Sequence, residues 1–80
     1  MSRAGDVVDV VARALASQPD QVEVEEYERR GQTIVELTMA PGDLGRVIGR
    51  QGRTATALRT LAGVAGELDG KKTIVDFRDE

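Results

Sequence analysis

The sequence of 80 residues predicts an α+β fold in which helices pack on one face of a three-stranded mixed sheet. Three observations predict it. An amphipathic stretch opens the chain, two β-rich segments follow with a short turn between them, and a second helical region precedes a last β-rich segment. The predicted order is therefore α-β-β-α-α-β. A connection through two helices returns the last strand parallel to the middle one by a right-handed crossover. No repeat or linker divides the chain, so we expect one domain over residues 1–80.

The first helix is predicted over residues 5–17. Its apolar residues recur with the spacing of one helical face; they are Val7, Val8, Val11, Ala14 and Leu15. Pro19 is expected to end this helix, because a proline restricts the residue before it to extended conformations. Asp9 and Arg13 interrupt the apolar run, so we expect neither a signal peptide nor a membrane span here.

A β-hairpin is predicted from the next two segments. Residues 22–27 and 33–39 are rich in β-branched and apolar side chains, and residues 29–32 supply the turn. One face of the second segment is apolar throughout and is expected to be covered; it consists of Val35, Leu37 and Met39. In the first segment Glu26 and Glu28 continue the phase of the valines, so we expect that end to be exposed or bulged.

Two helices and a strand are predicted for the second half. Asp43 is the expected N-cap of a short helix over residues 44–48. A longer helix is predicted from Arg53 to about Ala65, closed by residues 66–70. Its expected buried residues are Leu58, Leu61, Ala62 and Ala65. The last strand is predicted over residues 73–77.

The most informative segment is the loop between these two helices. Gly49 and Gly52 lie three residues apart, directly after the apolar pair Val47-Ile48. Glycine has no Cβ and adopts positive φ at little cost, so the loop permits close approach of another backbone. We expect the amides near Gly52 and Arg53 to donate to phosphate oxygens, since they lie at the positive end of a helix. A tight turn, with Gly49 ending one helix and Gly52 opening the next, is the alternative interpretation.

The charge distribution also singles out this segment. The window from Gly45 to Arg59 holds four arginines and no acidic residue, which leaves −7 on the rest of a chain whose net charge is −3. The local field governs the approach of a charged ligand, because charges more than about 8 Å away are screened at physiological salt. The window therefore favours an anionic partner. A solvated helix face is the alternative for the arginines alone.

The composition argues against catalysis. The chain has no cysteine and no histidine, so disulfides, thiolate metal sites and the commonest general base are all missing. The glycine loop lacks the G-K-[ST] ending of a phosphate-binding P-loop, and it follows a helix where a dinucleotide-binding loop follows a strand. We therefore predict a cytoplasmic protein that is not an enzyme and needs neither metal nor cofactor.

The extended loop motif and the element order together resemble the type II KH domain. Within that group they resemble the small bacterial single-KH proteins of the KhpA family. The similarity is carried by residues 43–54, Asp-Leu-Gly-Arg-Val-Ile-Gly-Arg-Gln-Gly-Arg-Thr, and by residues 57–61, Ala-Leu-Arg-Thr-Leu. The resemblance implies a loop, Gly49 to Gly52, that holds the backbone of about four single-stranded RNA nucleotides.

The same resemblance implies a set of RNA-binding residues. They are Arg46, Ile48, Gly49, Arg50, Gln51, Gly52, Arg53, Arg59, Lys71 and Lys72. Bases would lie in an apolar groove whose candidate walls are Val47, Ile48, Ala55 and Leu58, with Ile74 or Val75 opposite. For most of these residues burial in the core is an equal alternative, and Ile48 is the one expected to be partly exposed. For Lys71 and Lys72 a soluble turn is an equal alternative. Tyr27 and Phe77 are the aromatic residues, and both lie far from the loop in sequence. We therefore predict no base stacking and weak sequence discrimination.

The resemblance finally implies a role and partners. The family points to an RNA chaperone or post-transcriptional regulator linked to cell-envelope growth. It also implies a homodimer and a heterodimer with a larger KH protein of the Jag/KhpB type. The interrupted apolar run of the first helix separately predicts no membrane insertion. The competing hypothesis is a protein-interaction module that acts chiefly through such a partner. A small domain gains affinity by pairing with a second one, so the two roles are compatible.

Overall fold

The computed structural model describes residues 1–79 and contains three helices and three strands. The helices are α1 (Arg3–Leu15), α2 (Leu44–Ile48) and α3 (Arg53–Leu68), and the strands are β1 (Glu23–Arg29), β2 (Gln32–Met39) and β3 (Lys72–Asp79). One sheet has the order β1-β2-β3, with β1 antiparallel and β3 parallel to β2. The predicted α+β fold and the order α-β-β-α-α-β are confirmed.

The helices cover the sheet face that the alternation in β2 predicts. Val35 and Leu37 of β2 pack in one buried cluster with Val8 of α1 and Leu58 of α3. Within residues 1–79, no helix lies over the opposite face of the sheet. Ile34 is nevertheless buried there, because Tyr27 of β1 and Ile74 of β3 are its direct neighbours across the sheet.

The hairpin is regular from end to end. Seven consecutive residue pairs join β1 to β2, and the turn residues Arg30 and Gly31 have φ of 53° and 77°. Two central residues with positive φ make a type I′ turn, whose twist matches that of the strands. The end of β1 is exposed, as one of the two sequence-based alternatives predicts, and it is not bulged, because the pairing with β2 is unbroken. Glu26 is half-buried and has a partner on the covered face. Its Oε1 accepts hydrogen bonds from the backbone N–H and the hydroxyl of Ser2, at 3.0 and 3.1 Å.

Helix α1 begins earlier and ends earlier than the apolar spacing predicts. The hydroxyl of Ser2 accepts the N–H of Gly5 at 3.0 Å and so caps the helix at its start. Ala4 and Ala12 are buried, whereas Ala14 is exposed and does not belong to the packed face. The helix has ended before Pro19, so the proline does not terminate it.

The carboxylate of Asp43 organises the segment that follows α1. Its Oδ2 accepts the backbone N–H groups of Ser17 and Gln18, each at 3.1 Å, and its Oδ1 accepts the hydroxyl of Ser17. These amides cannot continue the helix while they donate to a side chain. Asp43 occupies the N-cap position of α2, but its side chain makes no capping bond there, which corrects the prediction.

Helix α3 is longer than predicted, and one of its residues that was predicted to be buried is exposed. It runs through Gly66 to Leu68, and Gly66 lies so close to Thr73 of β3 that a Cβ would overlap the threonine side chain. Leu58, Ala62 and Ala65 are buried as predicted, whereas Leu61 is 55% exposed. At 16 residues α3 is the longest helix within residues 1–79, and none of these helices has the length and apolar character needed to cross a bilayer.

The Asp43 contacts predict a loss of stability that depends on pH. The Ser17 hydroxyl, followed by the two backbone donors, holds the pKa of Asp43 below its ordinary value despite burial. A lowered folded-state pKa contributes stability at neutral pH that is lost as the pH falls through the acid range below about 4. Asp43→Asn turns one acceptor oxygen into a donor facing other donors. We expect a lower melting temperature at pH 7, and a difference from wild type that narrows by pH 3. Thermal denaturation followed by circular dichroism measures both, and a constant difference would contradict this assignment.

Candidate nucleic-acid interface

The chain passes from α2 to α3 through a single 3₁₀ turn, Arg50–Gly52. Gly49 has φ 75° and ψ 178°, Gln51 has φ 57° and ψ 24°, and Gly52 has φ 73° and ψ 13°. The conformation of Gly49 is essentially restricted to glycine, whereas the left-handed region of Gln51 admits other residues at a cost. Three of four successive residues thus have positive φ.

The two glycines of this turn serve different purposes. A Cβ on Gly49 would overlap the side chain of Thr54 and crowd its backbone nitrogen, so the close approach at this position is used within the fold. A Cβ on Gly52 would meet nothing within 4 Å, so this position faces open space. Gly49 ends α2 and Gly52 opens α3, as the tight-turn interpretation holds. Only Gly52 leaves room for an approaching molecule.

Most amides of the turn are already engaged, which corrects the sequence-based expectation. The N–H of Gly52 donates to the carbonyl of Gly49 at 3.2 Å, and the N–H of Arg53 donates to the carbonyl of Arg50. The two amides proposed for phosphate are therefore paired inside the turn. The N–H groups of Arg50 and Gln51 have no acceptor in the described chain. The donors at the tip of the turn are thus displaced by two residues from the predicted ones.

The arginines around the turn are largely without acidic partners. Arg46 lies 3.6 Å from Asp43, but no described carboxylate lies within ion-pair distance of Arg50, Arg53 or Arg59. Nη2 of Arg53 donates to the side-chain oxygen of Gln51 at 3.1 Å, which holds the guanidinium beside the turn. All three side chains belong to exposed residues. The positive charge of the window is therefore not neutralised within the fold.

The apolar groove predicted from the sequence is mostly core. Four of its candidate walls are buried; they are Val47, Ala55, Leu58 and Val75. Ile74 lies on the sheet face opposite the helices, because it alternates with Val75 along β3. Ile48 is half-buried at the end of α2 and remains at the surface beside the turn. Packing against the sheet thus uses the side chains that the sequence offers as walls.

An aromatic residue that sequence reasoning set aside lies next to α3. Phe77 is half-buried on the covered side of β3, and the guanidinium carbon of Arg59 is 4.7 Å from the centre of its ring. The alternation Thr73, Val75, Phe77 places this ring on the helix side of the sheet. The alternation can be recognised in the sequence. The contact with Arg59 cannot, because it forms only when the chain folds back from α3 and β3 lies along that helix.

The two lysines lie at the opposite end of α3. Nζ of Lys71 is 2.7 Å from Glu28, and Lys72 begins β3 opposite Gln32. They border a depression of about 540 Å³ whose other lining residues are Gly63, Glu67, Gly70 and Thr73. A helix rises 1.5 Å per residue, so the length of α3 places them about 20 Å from the turn. The structure therefore does not bring the lysines and the arginines into one patch.

Comparisons with known proteins agree on one family. The model of the KhpA/KhpB KH domain matches residues 5–77. A protein of Caldanaerobacter subterraneus named RNA-binding protein KhpA is 46% identical over 91% of this chain and 97% of its own length. Its namesake in Mycobacterium tuberculosis is 54% identical over 76% of this chain and 78% of its own length. The sequence resemblance is thereby confirmed.

A solved structure has the same fold in a larger protein. The crystal structure of Era in complex with MgGDPNP and nucleotides 1506–1542 of 16S ribosomal RNA matches with a TM-score of 0.64 and 18% identity. The match covers 95% of this chain but 29% of the Era chain. At this identity the likeness concerns the fold alone.

The different roles of the two glycines predict different costs of substitution. The methyl group of Gly52→Ala meets no neighbour, so we expect the free energy of unfolding to fall by about 1 kcal/mol, the cost of the left-handed conformation alone. Gly49→Ala adds a side chain in a region that only glycine adopts and forces it against Thr54, so we expect a loss of about 3 kcal/mol. Urea denaturation measures both free energies of unfolding. Equal losses would contradict both the restriction of this conformation to glycine and the clash with Thr54.

Proposed function

The chain belongs to the KhpA/KhpB family of KH domains, and on that premise we propose that it is a non-enzymatic domain that binds single-stranded RNA at the turn Gly49–Gly52. The observation that carries the proposal is the cluster of Arg50, Arg53 and Arg59. Arg50 and Arg53 lie in or next to the turn, Arg59 lies two helical turns further along α3, and none of the three has a described carboxylate within ion-pair distance. An acidic chain that leaves such a cluster unpaired presents a local site for a phosphate backbone.

The turn supplies the contacts that a sugar-phosphate strand needs. The free N–H groups of Arg50 and Gln51 donate to one phosphate, and the open side of Gly52 lets the strand approach the backbone. The guanidinium groups of Arg50 and Arg53 add charge-assisted hydrogen bonds to neighbouring oxygens. Gln51 orients Arg53 through the bond between their side chains. These contacts position the RNA and read no sequence.

The proposed role follows from the size of this site. About four nucleotides fit one KH loop, so a single domain binds weakly and releases easily. Such binding suits an RNA chaperone or post-transcriptional regulator in the cytoplasm, and the family resemblance links it to cell-envelope growth. Arg46 and Ile48 flank the turn and complete the near side of the site. Lys71 and Lys72 would take part only with a strand long enough to follow α3.

The proposal is tested by the variant Arg50→Asp/Gln51→Asp. Both side chains are exposed, and aspartate tolerates the left-handed conformation of Gln51, so the fold is retained. The two new carboxylates repel phosphate, and the substitution of Arg50 also removes one guanidinium group. We expect crosslinking to single-stranded RNA to be abolished while the melting temperature and circular dichroism stay close to wild type.

A control variant separates the site from the overall charge. Arg30→Asp/Gln21→Asp changes the net charge by the same amount, and Arg30 also has a positive φ, of 53°. Both control residues are exposed and lie outside the arginine window. Crosslinking should persist in this variant. Retained crosslinking in the loop variant, or equal loss in both, would refute a site at the turn.

Salt dependence provides a second measurement of the same contacts. Three phosphate contacts predict a slope of about −2 for the logarithm of the RNA association constant against that of salt concentration. Arg50→Gln removes one contact and should reduce the slope by about 0.7. A binding constant that does not change between low and high salt would exclude phosphate contacts at these arginines.

A protein-interaction role rests on a separate observation, an apolar stripe on α3. Leu61, Val64 and Leu68 are 55%, 55% and 68% exposed, and Val10 of the neighbouring helix α1 is 67% exposed. Clustered exposed aliphatic side chains mark an interaction surface. We propose that a second copy of this chain covers the stripe, and that a larger KH protein of the Jag/KhpB type competes for it.

Charge in the apolar stripe should prevent self-association. Leu61→Asp/Leu68→Asp buries two carboxylates in any interface that the stripe forms, whereas Thr56→Asp lies on another flank of α3 and serves as the control. Sedimentation velocity is expected to give a dimer for wild type and Thr56→Asp and a monomer for the double variant. A wild-type protein that is monomeric, with no change in the double variant, would contradict self-association through the apolar stripe.

A further inference from the structure

Arg59 and Phe77 form a pair that a phosphate contact does not require. The guanidinium carbon lies 4.7 Å from the centre of the ring, within the range of a cation–π interaction. No described carboxylate holds the guanidinium, so the aromatic ring is the group that orients it. Phe77 is half-buried beside α3 and is itself anchored in the edge strand β3. The planar group is thereby supported from one side.

The surroundings of Arg59 on α3 leave its flank uncovered. The residues one turn before and after it on the same side are Ala55 and Gly63, which have short side chains or none. A Cβ added to Gly63 would meet nothing within 4 Å. Leu61 and Leu68 lie about half a turn around the helix from Arg59, so the apolar stripe is on the other flank. Space beside the guanidinium is therefore open to a flat ligand group.

The distance from the turn fits a nucleobase attached to a bound phosphate. Arg59 follows Gly52 by seven residues, which is about 10 Å along the helix axis. One nucleotide bound at Gly52 can place its own base, or the next one, at that distance. The pair lies on the flank of α3 that faces β3, as the contact with Phe77 requires.

From this geometry we infer that Arg59, supported by Phe77, is a base-stacking platform that gives the site a preference for purines. The inference rests on the proposed RNA-binding function and adds a base contact to a site otherwise restricted to phosphate. Arginine guanidinium planes and aromatic rings are the groups on which unpaired RNA bases stack. Purines offer the larger π-face, and preference at such sites follows the strength of stacking. The inference departs from the sequence-based expectation of no stacking.

The test compares two RNA pentamers, A5 and U5, titrated into the protein and followed by NMR chemical shifts. Wild type should bind A5 more tightly than U5. Arg59→Lys keeps the charge but has no plane, so it should lose about tenfold in affinity for A5 with an unchanged salt slope. Phe77→Leu removes the support and should weaken A5 in the same way. Arg59→Lys alters an exposed residue, so it remains informative if Phe77→Leu is poorly folded.

Abasic pentamers identify the contact directly. One position of A5 should lose about tenfold in affinity when its base is removed, and this loss should vanish in Arg59→Lys. The platform is overturned if Arg59→Lys binds A5 as tightly as wild type, or if the loss on removing the base persists in that variant. In either case, abolished binding in Arg50→Asp/Gln51→Asp still supports the RNA site. Failure of wild type to bind either pentamer overturns both proposals.

Discussion

The buried carboxylate of Asp43 is the contact on which the position of the candidate site depends. It joins the end of α1 to the start of α2 by accepting two backbone amides and one hydroxyl from Ser17 and Gln18. Helix α2 has five residues, too few to be stable by itself, and it leads directly into the turn. The same carboxylate lies 3.6 Å from Arg46. One buried anion thus anchors the helix that carries the turn and its first arginine to the core.

The turn itself depends on conformations that its own residues impose. Gly49 supplies a backbone geometry reserved for glycine and packs against Thr54, while Gly52 begins α3 with its side open. Hydrogen bonds within the 3₁₀ turn engage the amides of Gly52 and Arg53. A turn closed in this way is held in one shape before any ligand arrives, and pre-organisation reduces the entropy lost on binding. The arginines around it remain free because the acidic residues are concentrated elsewhere in the chain.

Sequence patterns predicted the architecture well and the details of contact poorly. The alternation in β2 identified the covered face, and the spacing in α3 identified Leu58 and Ala62 as buried. The prediction that Leu61 is buried was wrong, because an exposed leucine in an amphipathic helix has the same local sequence pattern as a buried one. Asp43 was placed correctly at the start of α2, but its partners lie 25 and 26 residues away in sequence. The arginine-rich window was predicted from the sequence. The backbone N–H groups that remain without an acceptor, those of Arg50 and Gln51, lie two residues before the predicted ones.

The sequence by itself determined the family, the order of the elements and the charged turn, because periodicity, glycine spacing and local charge are properties of neighbouring residues. Tertiary structure alone decided which groups meet across the chain: Glu26 with Ser2, Asp43 with Ser17, and Arg59 with Phe77. It also decided that Val47 packs inside while Leu61 faces out. The physical reason is that these contacts join elements that are far apart in the sequence, α1 with β1, the end of α1 with the start of α2, and α3 with β3. Such contacts form only when the whole chain is packed, and no local pattern encodes them.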